Sequence, residues 1–179
     1  MNTSERAGWL TPDNEPVYDE ALERLLSQWL RIVSGLPSGS VRPRWTSVQT
    51  AQPPADSDWC GFGIVALPAD DNPAYANQTP EHGELWRHEA FECSASFYGP
   101  RSQGYITRFR EGISLSQNNA ELNTLGLSVV KHSGIVAFPE LINNQWIRRY
   151  DMTVTLWRKV VRRYGIKALR DAPVKLFGD

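Results

Sequence analysis

Cysteine is scarce in this chain, and its two copies, Cys60 and Cys93, are too few for a disulfide framework. A reducing compartment and two reduced thiols are the expectation. Histidine is scarce too: His82, His88 and His132 stand far apart, with no HExxH, no CxxC and no acidic cluster at ligand spacing. A metal centre is therefore not expected. Gly61-Phe62-Gly63 is only a fragment of a dinucleotide fingerprint, and neither GxxxxGK[ST] nor GxSxG occurs. Phosphate-cradling and serine-hydrolase chemistry fall away, and no cofactor is called for. Long apolar runs are missing, and the N-terminal "MNTSERAGWLTPDNEP" has no basic start followed by an apolar stretch. The expectation is a protein with no membrane partner, soluble and intracellular when made. Charge of one sign is lacking as well: the formal net charge is −1 and the sequence pI about 6.3, so nothing global demands nucleic acid.

What is present suffices for one ordinary core. The 179 residues fit a single domain over residues 16–179 preceded by an N-terminal extension, residues 1–15. Tyr18, Leu22, Leu25, Leu26, Trp29, Ile32 and Val33 recur at helical spacing and predict an amphipathic helix ending near Gly35. "WCGFGIVALP", Trp59 to Pro68, is apolar or small on both faces and reads as a central strand whose glycines allow close approach of a neighbour. Residues 69–83 read as a long polar connection. Past Gly99-Pro100, Tyr105, Ile106, Phe109 and Ile113 share a helical face, and a second short helix is expected over Asn118 to Leu125, stopped by Gly126. "LSVVKHSGIVAFP" reads as a strand broken at Ser133-Gly134. "WIRRYDMTVTLWRKVVRRYG" alternates cleanly from Tyr150 to Trp157 and is a long strand, with helix as the rival for Trp157 to Tyr164. The order of elements predicts an α+β fold, a mainly antiparallel sheet with α-helices packed on one face.

"FECSASFYGP", residues 91–100, tests for hidden chemistry. Period two puts Phe91, Cys93, Ala95 and Phe97 on one face and His88, Ala90, Glu92, Ser94 and Ser96 on the other. Cys93 thus points away from His88 and reads as a small buried hydrophobe rather than a nucleophile. His88 and Glu92, four residues apart along a strand, are about 13 Å apart and cannot share a proton. No catalytic residue is assigned. Charge is uneven along the chain: from Trp146 to Asp179 nine Lys or Arg face three Asp, whereas Met1 to Gly35 carries six acids against three Arg. Opposite ends of opposite sign are compatible with head-to-tail self-association, although such asymmetry is more often an accident of solvated faces. Arg148, Arg149, Arg158, Lys159, Arg162 and Arg163 are accordingly interface candidates. A small enzyme with a site assembled from distant residues and a nucleic-acid-binding protein are the competing readings.

The segments "PVYDEALERLLSQWL", "VRPRW", "WCGFGI", "RHEAFECSASFYG", "FREGISLSQNNAEL" and "WIRRYDMTVTLWRKVVRRYG" also stand in a recognisable order. In order and spacing, from Pro16 to about Ile166, the chain resembles the phage neck and tail terminator proteins encoded with myophage head and tail genes. The resemblance implies a structural virion protein at the neck/tail junction with no catalytic residues. It implies a homo-hexameric ring that caps the tail tube and joins it to a neck or head-completion protein beneath the portal, with the sheath as a further candidate partner. It also implies a sheet facing the channel through which genomic DNA passes without sequence-specific contact. Ser94, Ser96, Thr153 and Thr155 would then form a hydrated lining, where fixed positive charge would slow ejection.

Overall fold

The computed structural model describes residues 2–48 and 50–167. Along them run α1 (Asp19–Ser34), β1 (Val41–Pro43), β2 (Trp59–Ala66), β3 (Ala74–Ala76), β4 (Gly83–Tyr98), α2 (Ser102–Gly112) and α3 (Ser116–Thr124). The last third is β5 (Leu127–His132), β6 (Val136–Ala137), β7 (Glu140–Ile142), β8 (Gln145–Ile147) and β9 (Arg149–Tyr164). Seven strands form a mostly antiparallel sheet in the order β1-β2-β4-β9-β5, with β3 on β4 and β6 on β9, while β7 and β8 make a separate hairpin. The α+β class read from the sequence is the fold observed.

The chain divides into two compact units. The larger holds Val17–Ala69 and Glu89–Arg158, and with them all three helices and the hydrophobic core. Among the described residues, the smaller gathers 2–16, Asp70–His88 and 159–167.

In the larger unit α1 buries Leu22, Leu26, Trp29 and Leu30, a stripe at 3.6-residue spacing. Ile32 lies off that stripe and is 60% exposed, and Leu25 is half-buried, so the apolar face is narrower than the sequence pattern suggested. Gly35, in the left-handed region at φ 77°, ends the helix by donating its N–H to the Arg31 carbonyl at 3.0 Å. Trp29 meets Phe109 of α2 edge to face, with ring centroids 5.0 Å apart, and Phe97 of β4 packs on the same Phe109.

Register then settles the faces of the sheet. Cys60, Phe62 and Ile64 of β2 pair with Phe97, Ala95 and Cys93 of β4, all toward the helices, while Gly61 and Gly63 pair with Ser96 and Ser94 on the outer face. Met152, Val154 and Leu156 of β9 and Leu127 of β5 complete the inner face. The Trp45 ring lies over Gly63 so closely that a Cβ there would sit 2.3 Å from it, which is the close approach the glycines of "WCGFGI" permit.

One expectation changes. Residues 69–83 contain β3, held by pairing of Ala74, Tyr75 and Ala76 with Trp86, Leu85 and Glu84. A three-residue strand has too little periodicity of its own to be read from sequence. The long strand read from the sequence holds to its end, because β9 continues through Trp157 to Tyr164 with Arg158 and Val160 buried in alternation with exposed Trp157 and Lys159, and the helical rival falls away.

Candidate interface surfaces

On the outer face of the larger unit, the sequence-predicted lining residues divide by what covers them. Ser94, Thr153 and Thr155 are half-buried on β4 and β9, each directed away from the helices. Ser96 is fully buried, because Arg44, just past β1, reaches over Gly61 and donates to its hydroxyl. The face therefore presents small hydroxyl groups, with Lys131 of β5 paired beside Thr155.

The arginines of this face are engaged within the chain, whereas Lys131 is exposed. Arg149 opens β9, beside the end of β4: its guanidinium donates to both Asp151 oxygens at 2.8 Å and to Glu140, and lies 5.5 Å from the Tyr98 ring and 5.6 Å from Phe138. The hydrogen bonds to Asp151 hold the Arg149 proton far more tightly than usual. Tyr98 in turn stacks on Trp59 with centroids 4.2 Å apart and planes within 7°. Burial pushes the Tyr98 hydroxyl above its usual pKa. Arg42 donates to the Thr50 hydroxyl and the Ala51 carbonyl.

Arg158, another interface candidate, is an internal residue. Its side chain is 7% exposed, pairs with Glu89 at 3.0 Å, donates to the Val17 carbonyl and stacks 4.4 Å from the Tyr18 ring. Tyr18 donates its hydroxyl to the other Glu89 oxygen at 2.5 Å. The alternation of β9 places position 158 inward, and a buried arginine there is tolerated because every part of its guanidinium has a partner. Arg148 alone of the three candidates in this unit projects outward, donating to the Pro100 carbonyl.

The smaller unit holds Lys159, Arg162 and Arg163. The Lys159 ammonium lies 3.3 Å from the centre of the Trp86 ring, whose indole N–H donates to Glu84. That hydrogen bond and one from Asn77 hold the Glu84 carboxyl below its usual pKa. Arg162 is half-buried. Arg163 pairs with Asp13 at 3.0 Å and donates its backbone N–H to Asn14, while Lys167 meets Glu81 at 3.4 Å and Glu5 at 3.9 Å. The acids of the N-terminal region and the bases of the C-terminal one thus meet inside one chain. Charge counts along the sequence could not distinguish that closure from a contact between copies.

The two thiols and the histidines stand in different surroundings. Cys60 and Cys93 are free and fully buried, and burial raises both thiols, Cys93 to about 12. The nearest acid to His88 is Asp70, 3.6 Å from its ring and accepting its backbone N–H at 3.1 Å, a partner from the connecting loop that no spacing rule would find. Among the described residues, no group of three His, Cys, Asp or Glu could hold a metal ion. No helix of the described chain is long and apolar enough to cross a membrane.

No curated protein matches this chain. Its residues 20–179, which include every helix and strand described above apart from the first residue of α1, match the model of the phage neck terminator protein family, and the chain belongs to that family.

Proposed function

We propose that the chain assembles as a homo-hexameric ring that terminates the tail tube and joins it to the neck protein below the portal. In that ring the outer face of the sheet lines the path of the genomic DNA. The observation that supports the lining is the chemistry of the face: Ser94, Thr153 and Thr155 offer neutral hydroxyls, and Arg42, Arg44 and Arg149 are engaged by groups of their own chain. A duplex passing such a surface meets hydration and few fixed cations, so little counterion-release affinity holds it back. Ser96 lies under Arg44 and contributes support rather than lining. No side chain performs a reaction in this role; the tail tube, the sheath and the neck protein are its partners, and its place is the virion neck.

Particles produced without the chain test this directly. They should accumulate filled heads and separate tails, and supplying the protein in trans should join them. Intact joined particles formed in its absence would contradict the proposal.

A further inference from the structure

Concave surfaces of opposite charge lie at the two ends of helix α1. At its N-terminal end a groove of about 460 Å³ is lined by Asp19, Glu20, Glu23 and Arg24, with Trp45, 61% exposed, as its aromatic wall. Arg24 pairs with Glu20 at 3.3 Å, and among the described residues no base pairs with Asp19 or Glu23. The groove keeps an excess of two negative charges. At the C-terminal end lies a depression of about 380 Å³ lined by Arg101, Tyr105, Arg108 and Arg148. It adjoins that end because Arg108 Nη1 lies 2.6 Å from where a Cβ on Gly35 would stand. Arg101 pairs with the buried Asp58 at 2.8 Å, and among the described residues no carboxylate pairs with Arg108 or Arg148. This surface keeps an excess of two positive charges. Arg101 and Arg108 also lie 5.6 and 5.7 Å from the Tyr105 ring, which holds both guanidinium groups in place.

From Glu23 to Gly35 the helix rises about 18 Å, roughly twice the Debye length at physiological salt, so neither surface neutralises the other in one chain. The helix dipole favours acids at one end and bases at the other, which fixes the polarity of the pair. Equal and opposite excess charge on two distinct surfaces of one chain describes a heterologous contact, which closes into a ring when the rotation between copies allows. We infer that the Arg101–Tyr105–Arg108–Arg148 surface of one copy receives the Asp19–Glu20–Glu23–Trp45 groove of the next. The contact rests on the ring proposed above and names the surfaces that build it. Arg148 is the one candidate read from the sequence that takes part.

Charge reversal and charge exchange in the full chain provide the test, with mass photometry reading the assembled fraction and circular dichroism the fold. Arg108→Glu and Glu23→Arg, each alone, should raise the concentration for half-assembly by about ten-fold or more, because like charges then face each other. The chain carrying both changes should recover much of the loss, since complementarity between neighbours is restored. Arg148→Glu gives an independent reversal should Arg108→Glu disturb packing on Gly35. Added salt should weaken assembly of the unmodified chain. If that chain forms rings and the reversals leave them unaffected, the surfaces are misassigned while the ring stands. A chain that stays monomeric at every concentration, alone and with tails, overturns both.

Discussion

The guanidinium of Arg158 is clamped against Glu89 at 3.0 Å, beneath the ring of Tyr18, with both side chains largely withdrawn from water. The contact ties the start of α1, the middle of β4 and the middle of β9 to one another. Removing one partner strands the other charge, so Arg158→Met or Glu89→Leu should each destabilise the protein by about 3–5 kcal/mol. Arg158→Met combined with Glu89→Gln, which keeps an acceptor for Tyr18, should be milder than either. Urea denaturation of the three variants measures this; single-variant losses under about 1 kcal/mol would assign Arg158 to the surface.

The buried stripe of α1 predicts a contrast between neighbours in sequence. Leu26→Ala should cost about 2–5 kcal/mol, because the side chain is fully enclosed among the core residues. Ile32→Ala should change stability by about 0.5 kcal/mol or less, since its side chain is mostly in water. Equal melting temperatures for the two variants would contradict the facing of the helix.

Both cysteines should react slowly with thiol reagents, at a rate set by opening of the structure rather than by the reagent. Burial raises Cys93 from its ordinary 9.0 to about 12 and Cys60 in the same direction. Between those values the unfolded chain releases thiol protons that the folded chain retains, so these groups make stability fall as pH rises from about 9 towards 12. The Cys93→Ser variant should lose part of that fall. Rapid labelling of both thiols in the folded protein at pH 7 would contradict their burial.

The elements with a strong period of their own were legible in the sequence: α1 from its leucines, β4 from Phe91, Cys93, Ala95 and Phe97, and β9 from Met152, Val154 and Leu156. Hidden from it was everything decided by a distant partner. β3 exists through Glu84, Leu85 and Trp86, Ser96 is buried by Arg44, and Asp13 takes up Arg163. A buried arginine at position 158 reads in sequence like any surface charge, because only Glu89, Tyr18 and the Val17 carbonyl make its burial tolerable. The two surfaces at the ends of α1 were half-visible: Asp19, Glu20 and Glu23 stand together in the chain, whereas Arg101, Arg108 and Arg148 converge only in the fold.

Assembly is the central claim, and the mass of the purified full chain in solution, read with averaged negative-stain images, tests it most directly. A species of six copies appearing as closed six-fold rings with an open centre is the predicted result. A monomer at all accessible concentrations, unchanged by added tail tubes, would contradict it.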